Sequence, residues 1–270
     1  RVEIPDFTRR RDEIGELSGA LREMTNALYT RIEAIESFAA DVAHELRNPL
    51  TSLRSAVETL PLAKTDESRK RLLEVIQHDV KRLDRLISDI SDASRLDAEL
   101  QRQEAAQVDL AKLLDALVTA ANEVRSDDVH VTLAFEGGNR DTFKVPGHDS
   151  RLGQVVSNLI DNARSFSAAG GNVRVTVRRL KNEVAIVVDD DGPGIGPDAL
   201  DKIFERFYTD RPNQSFGQNS GLGLSISKQI VEAHGGSIHA ENRMSVAAAG
   251  QGQQEPRVLG ARFVVRLPAK

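Results

Sequence analysis

The chain contains no cysteine. This absence excludes disulfide bonds, thiolate nucleophiles and thiolate zinc sites, and it fits a reducing compartment. Long apolar runs are also missing, because no stretch approaches the roughly 18 to 20 apolar residues needed to cross a bilayer. The opening residues, RVEIPDFTRRRDEIGEL, hold no apolar signal-peptide core. The sequence as printed therefore predicts a soluble chain.

An excess of charge of one sign is missing too. The formal net charge is −5 over 270 residues, with both signs interspersed. We therefore expect no general electrostatic surface for nucleic acid or anionic lipid. Because 40% of the residues are hydrophobic, the chain can bury at least one full core, and its length is compatible with two compact units.

Apolar residues spaced three or four apart predict two long helices in the first hundred residues. The first stripe contains Ile14, Leu17, Leu21, Met24, Leu28, Ile32, Ile35, Phe38, Val42, Leu46, Leu50, Leu53, Val57 and Leu60. A turn, PLAKTDES, separates it from the second stripe, which contains Leu73, Ile76, Val80, Leu83, Ile87 and Ile90. Two antiparallel helices alone have too little core, so we expect a dimer that closes a four-helix bundle.

After about residue 100 the pattern changes to mixed helices and strands. Helices are predicted over residues 108–124, 151–166, 197–207 and 224–234. Strands are predicted over residues 129–135, 172–180, 183–191, 237–242 and 261–268, the second and third of them as a hairpin. The small polar segment 247–256 is predicted to be a flexible hairpin tip. This order favours an α+β sandwich with helices on one face of the sheet.

Three segments of this second region suit phosphate chemistry. DDDGPGIG follows an apolar strand, and its glycines allow the backbone to approach a ligand, although such a turn also occurs without ligands. NSGLGLSISKQI opens a helix, whose free N–H groups favour a phosphate. Asn158 and Asn162 lie four apart on one helical face and offer neutral oxygens to magnesium, although either could be an ordinary surface residue.

Together with FAADVAHELRNPLTSL and IFERF, these segments resemble the sensor histidine kinases of two-component systems. The first segment looks like their phospho-acceptor motif, the later ones look like the nucleotide-binding motifs of the gyrase, Hsp90, histidine kinase and MutL fold, and RRRDEIGELSGALREM resembles part of a HAMP module. The resemblance implies a HAMP remnant and coiled coil over 1–36, a dimerisation and phosphotransfer domain over 37–100, and an ATP-binding domain of Bergerat type over 101–270. It also implies a homodimer, a response regulator receiver domain as partner, no nucleic acid partner, and a whole protein anchored at the cytoplasmic side of the bacterial inner membrane.

The same resemblance assigns roles to individual residues. His44 would be phosphorylated, Glu45 would be its carboxylate partner, and Asn48 would promote dephosphorylation of the regulator. Magnesium (Mg2+) and ATP phosphates would be held by Asn158 and Asn162. The remaining nucleotide-binding residues would be Asp190, which accepts from the adenine amino group, Gly192, Gly194, Arg206 at the γ-phosphate, Phe207, Ser220, Gly221, Leu222 and Gly223, with Phe204 and Phe207 anchoring a mobile lid.

Two positions depart from the family pattern. Ser165, preceded by Arg164, stands where the family usually has lysine, and Asn219 stands where it usually has glycine. The first departure puts a phosphate contact in doubt. Asparagine tolerates positive φ better than most residues, so the second departure is milder.

The periodicity also accounts for the placing of His44. Because Val42 and Leu46 belong to the first stripe, His44 must project away from it, and Asn48 lies one turn further along the same exposed face. An exposed helical histidine is usually only solvated, so the other motifs carry the assignment. Pro49 removes a backbone N–H and clashes with the carbonyl of Glu45, which predicts a weak or kinked helix beside His44. The other five histidines are interpreted as structural or surface residues.

Two alternatives remain at this point. A non-kinase ATPase or chaperone of the same nucleotide fold would lack a phosphohistidine, which the HELRNP helix argues against. A degenerate kinase that serves only as a dimeric scaffold is kept open by Ser165 and Asn219.

Overall fold

The computed structural model describes residues 5–10, 12–102, 106–123, 128–209, 220–245 and 257–269, with only the backbone described over 96–102. The chain divides into two compact units, Arg1–Leu83 and Asp84–Lys270. Among the described residues, no helix is both long enough and apolar enough to cross a membrane.

The first unit is helical, as predicted. Helix α1 spans Glu13–Thr59, and the side chain of Asp12 caps its start by accepting a hydrogen bond from the Gly15 N–H. A 3₁₀ turn over Leu60–Leu62 follows, and α2 spans Asp66–Arg102. Pro49 lies inside α1 without ending it.

The first apolar stripe is largely exposed in a single chain. From residue 14 to residue 35 every member is exposed to solvent: Ile14, Leu17, Leu21, Met24, Leu28, Ile32 and Ile35. A continuous row of exposed apolar side chains at helical spacing is a surface suited to a partner helix.

The second unit is built on a five-stranded sheet in the order β2-β4-β5-β7-β6. Its strands are β2 (His130–Glu136), β4 (Asn172–Arg179), β5 (Glu183–Asp189), β6 (Ser237–Met244) and β7 (Val258–Pro268). Strands β2 and β4 are parallel, and the other pairs are antiparallel, including the predicted β4-β5 hairpin. The strands β1 (Ala106–Asp109) and β3 (Lys144–Gly147) form a separate two-stranded sheet that the sequence pattern did not predict.

Three helices cover this sheet: α3 (Leu110–Glu123), α4 (Asp149–Phe166) and α5 (Gly223–Ala233). Because α4 contacts both α3 and α5, and all three contact the sheet, they form one layer. The fully buried side chains between helices and strands include Leu114, Leu152, Leu159, Ile160, Ile186, Ile230 and Leu267. The predicted α+β sandwich is confirmed.

One predicted helix is wrong. Residues 197–207 form consecutive turns instead of an α-helix. Their backbone bonds alternate between spans of three and four residues, as in Lys202 to Ala199 and Ile203 to Ala199. Within this segment only Ala199 and Ile203 are buried, so too little apolar surface is covered to stabilise a regular helix. The predicted hairpin tip over 247–256 lies outside the described residues.

Candidate functional site: a phospho-acceptor helix and a nucleotide-binding loop

His44 lies on α1 with its side chain exposed, as does Asn48 one turn later. Among the described residues, neither side chain makes a hydrogen bond within the protein. The imidazole is therefore presented to solvent, as a group that must meet a second reactant requires. Pro49, one residue beyond Asn48, is buried.

The neighbouring carboxylate is held by the second helix. An Nη2 of Arg82 on α2 donates to Oε2 of Glu45 over 3.1 Å, and the two side chains are 19% and 25% exposed. Sequence reasoning missed Arg82 because 37 positions separate it from Glu45 and no local pattern marks the contact. A bond from Glu45 to His44 stays a prediction.

Asn158, the first asparagine of the pair on α4, lies next to the start of α5. The Asn158 amide donates to the carbonyl of Gly223 over 3.1 Å and to the Ser227 hydroxyl over 3.3 Å. These contacts orient the amide so that Nδ2 faces α5, and Oδ1 remains as an acceptor. Asn162 lies one turn later and is half-buried. Neutral oxygen ligands of this kind fit Mg2+.

Asp190 follows β5 and is buried. Its Oδ1 accepts hydrogen bonds from the Gly192 N–H over 2.8 Å and the Ala261 N–H over 2.9 Å. Within the described part of the chain no donor meets Oδ2. Burial raises the pKa of Asp190, while the two N–H groups and the charge of Arg243 act in the opposite direction. One carboxylate oxygen is thus anchored by two backbone N–H groups, and the role of the other oxygen in adenine binding stays a prediction.

The loop after Asp190 is clamped from β6. The Asn242 side chain accepts from the Ile195 N–H over 2.7 Å and donates to the Ile195 carbonyl over 2.8 Å. Gly194 has φ +83°, and a Cβ there would meet Val258 at 2.4 Å and Asn242 at 2.8 Å. Asn242 was missed from the sequence, because strand residues so far along the chain carry no signal of this contact.

Phe207 and Gly221, which lie on either side of the predicted lid, contact each other through their backbones. The Phe207 N–H donates to the Gly221 carbonyl over 2.9 Å, and a Cβ on Gly221 would come within 2.7 Å of the Phe207 backbone. Phe207 itself has φ +60°. Phe204 packs edge to face on Phe263 with ring centroids 6.5 Å apart, and Arg206 is exposed. Asn219 lies outside the described residues.

The glycine stretch leads into α5. Ser220 Oγ accepts from the Leu222 N–H over 3.1 Å, Leu222 is buried, and Gly223 is the first residue of the helix. A Cβ on Gly223 would lie 3.6 Å from Asn158. The start of α5 and the asparagine face of α4 are therefore adjacent, which brings the predicted phosphate and magnesium groups together.

Ser165, which stands where the family usually has lysine, and the preceding Arg164 both donate hydrogen bonds to backbone carbonyl groups. Ser165 donates from its hydroxyl to the Asn162 carbonyl over 2.7 Å. An Nη1 of Arg164 donates to the carbonyl of Ala121 on α3. In this conformation Arg164 therefore braces α4 against α3.

Two histidines join the ends of α4 and α5. His234 Nδ1 lies 2.7 Å from the Ile230 carbonyl and must donate to it, so Nε2 is the acceptor for the His148 backbone N–H at 3.1 Å. Burial lowers the pKa of His234, with a smaller contribution of the same sign from His148. The interpretation of these histidines as structural agrees with this geometry.

This pair predicts a loss of stability in mild acid. The unfolded chain, in which His234 has its ordinary pKa of 6.5, binds more protons than the folded chain, where the pKa is lower. The stabilisation is present above that value and is lost as pH falls through the folded-state pKa. We expect the thermal midpoint to fall more steeply between about pH 7.5 and 5.5 in the wild type than in His234→Gln, which cannot titrate. Equal slopes would contradict the prediction.

Comparison with known proteins finds one family model for the segment that contains His44 and another for the segment that contains Asp190. Residues 34–99 match the family model of the His Kinase A (phospho-acceptor) domain, and residues 147–270 match the model of the histidine kinase-, DNA gyrase B- and HSP90-like ATPase. The chain is 59% identical over 275 residues to the sensor protein ChvG of Rhizobium meliloti, covering 100% of this chain and 46% of that protein.

Two further similarities are more distant. The signal transduction histidine-protein kinase/phosphatase MprB of Mycobacterium ulcerans is 35% identical over 240 residues, covering 86% of this chain and 45% of that protein. The solved structure of histidine kinase ThkA in complex with response regulator protein TrrA has a TM-score of 0.67 and 24% identity, covering 96% of this chain and 68% of that chain, and it supports the fold alone.

The chain belongs to the sensor histidine kinases of two-component systems. Within that family it is ChvG-like, since its identity to ChvG extends over the whole of this chain. The chain spans less than half the length of the curated relatives named above.

Proposed function

We propose that this chain transfers the γ-phosphoryl group of Mg2+-bound ATP to His44, and then to an aspartate of a response regulator receiver domain. One observation carries the proposal: an exposed histidine beside a held carboxylate on α1, in the same chain as a nucleotide-type loop with one free carboxylate oxygen. A chaperone or other ATPase would not need the first of these features.

The chemistry requires little from the protein beyond positioning. A neutral ring nitrogen of His44 attacks the γ-phosphorus in line, an N–P bond forms, and the bond to the bridging oxygen breaks as ADP leaves. Glu45 would hydrogen-bond the other ring N–H and stabilise the positive charge that develops there. Because Arg82 holds Glu45 in this structure, the carboxylate must leave or share that ion pair during the reaction.

The nucleotide would be bound by the second unit. Asp190 Oδ2 would accept from the adenine amino group, and the N–H groups at the start of α5 would face phosphate oxygens. The Oδ1 atoms of Asn158 and Asn162 would hold Mg2+, which neutralises charge on the phosphates. Arg206 and the Phe207–Gly221 contact would place the lid, and Gly192 and Gly194 would allow the loop to approach the base.

The test is incubation with ATP labelled at the γ position, with and without Mg2+. We expect protein-bound phosphate that is labile in acid and stable in base, as a phosphohistidine is, and that depends on the metal. Nucleotide hydrolysis without protein phosphate would instead favour the ATPase alternative, and failure to bind ATP would favour the scaffold.

We further propose that the working form is a homodimer, with the domain limits predicted above. The exposed apolar row from Ile14 to Ile35 supports it, since a second copy of α1 would cover that row. In the whole protein, segments beyond this chain would anchor it so that these domains lie on the cytoplasmic side of the inner membrane.

Dephosphorylation of the regulator is proposed as a second activity of the same helix. The relative from Mycobacterium ulcerans is named a kinase/phosphatase, and Asn48 has the position and chemistry required. Its amide could orient a water molecule toward an aspartyl phosphate, which requires hydrogen bonding but no ionisation.

Asn48→Ala separates that role from capping of backbone groups near Pro49. Because the Asn48 side chain makes no hydrogen bond among the described residues, we expect unchanged thermal stability, retained transfer to the regulator, and a phosphatase rate lower by about tenfold or more. Asn26→Ala, which truncates another exposed asparagine of α1, should change none of the three. A joint fall of both activities and stability in Asn48→Ala would support capping instead.

A further inference from the structure

Arg243 on β6 contacts three successive residues at the nucleotide loop. Its Nη1 donates to the backbone carbonyl of Asp190 over 2.5 Å and to Oδ1 of Asp191 over 3.0 Å. Its Nε lies 3.8 Å from Oδ2 of Asp189. The Arg243 side chain is only 18% exposed, and its bond to the Asp190 carbonyl is partly buried, whereas the Asp191 side chain is 34% exposed.

A glycine on the intervening strand makes this approach possible. Arg243 is paired in register with Gly260 of β7, and the register shifts directly after Arg243. Gly260 has φ +146°, and a Cβ there would lie 1.9 Å from the Asp190 carbonyl oxygen. Any side chain would therefore displace the carbonyl that Arg243 binds.

The neighbouring carboxylates already have arginine partners of their own. Arg262 on β7 binds both oxygens of Asp189, over 2.7 and 2.9 Å, and Arg174 on β4 binds Asp191 over 2.7 Å. Among the described residues, Arg243 is the cation that hydrogen-bonds Asp190 itself. Neutralising Asp189 and Asp191 thus does not account for its position.

We infer that Arg243 is a positioning residue for adenine recognition, which fixes the Asp190 peptide so that the free carboxylate oxygen meets the adenine amino group. The inference rests on the proposed ATP site. Its physical basis is that a buried carboxylate selects a donor only while its own backbone is held and the carboxylate is charged.

The charges around Asp190 predict that loss of Arg243 changes how adenine binding depends on pH. Burial raises the pKa of this carboxyl, Asp191 adds to the rise, and the positive charge of Arg243 opposes it. Arg174 and Arg262 balance the flanking aspartates. Removing Arg243 should therefore raise the pKa of Asp190 further, and adenine binding should weaken at a higher pH than in the wild type.

The experiment compares Arg243→Gln with wild type in calorimetric binding of ATP and ITP, which lacks the 6-amino group, at about pH 6 and pH 8. We expect ATP affinity to fall about tenfold and ITP affinity to change less than about twofold, with the greater ATP loss at the lower pH. Arg174→Gln, which breaks an ion pair to Asp191 but leaves the Asp190 peptide held, should keep the wild-type ratio of ATP to ITP affinity at about pH 8, where a modest rise in the pKa of Asp190 leaves it charged.

Arg243→Lys keeps the charge and guards against misfolding of the glutamine variant, with thermal melting as a check. We expect it to retain more of the ATP preference than Arg243→Gln does. If a folded Arg243→Gln keeps the wild-type ratio of ATP to ITP affinity, whether both affinities are unchanged or both fall equally, the inference is overturned. If Asp190→Asn also binds ATP like wild type, the proposed adenine site itself fails, which is a distinguishable result.

Discussion

His44→Gln is expected to abolish protein phosphorylation while leaving ATP affinity unchanged. Glutamine suits an exposed helical position but has no nucleophilic ring nitrogen, so the fold should persist and the N–P bond cannot form. The measurement is incorporation of acid-labile phosphate, together with calorimetric binding of a non-hydrolysable ATP analogue.

His78→Gln is the matched control for that variant. His78 is the other histidine of the first unit, and its Nδ1 lies 3.4 Å from Asp79 Oδ1. We expect this variant to be phosphorylated like the wild type. Phosphate retained in His44→Gln would show that the acceptor is another residue.

Asp190→Asn is expected to weaken ATP binding by about tenfold to a hundredfold. Its Oδ1 accepts two backbone N–H groups, so an asparagine would keep its oxygen there and turn its NH₂ group toward the adenine amino group. Two donors would then oppose each other, and a charged hydrogen bond worth roughly 1.5 to 3 kcal/mol would be lost. Calorimetry with the same ATP analogue measures the change.

Asp198→Asn controls for the lost charge, because this carboxylate lies exposed in the turns that follow the loop. It should bind ATP like wild type. Equal ATP affinities of Asp190→Asn and the wild type would show that the glycine-rich segment is an ordinary turn with no part in adenine binding.

Local patterns predicted the helices and most strands, because burial repeats with the period of each element. Asn158 and Asn162 could be paired from the sequence for the same reason, since four positions on one helix share a face. The strands β1 and β3 contain only four residues each, too few for alternation to register. Residues 197–207 had a helical pattern, but little of that segment is buried.

Contacts between distant segments could not be predicted from one sequence. Arg82 reaches Glu45 across 37 positions, and Arg243 reaches Asp190 across 53. The role of Gly260 depends on the register of two strands and on the carbonyl that fills the space of its missing side chain. The spacing of residues along the chain does not predict such pairings, because they arise from tertiary packing.

Helix α1 carries His44 on an uninterrupted rod. From Ala20 to Asn48 the sequence contains neither glycine nor proline, and the helix is continuous over its 47 residues. At about 1.5 Å and 100° per residue, His44 lies roughly 46 Å and more than eight turns from Glu13. A twist applied at the upstream end would therefore reach the imidazole with little damping and turn it toward or away from an incoming phosphate. After Gly19 the next glycine or proline of α1 is Pro49, which lies beyond the reactive residue, so a bend at Pro49 would leave His44 on the same continuous helix as the upstream end.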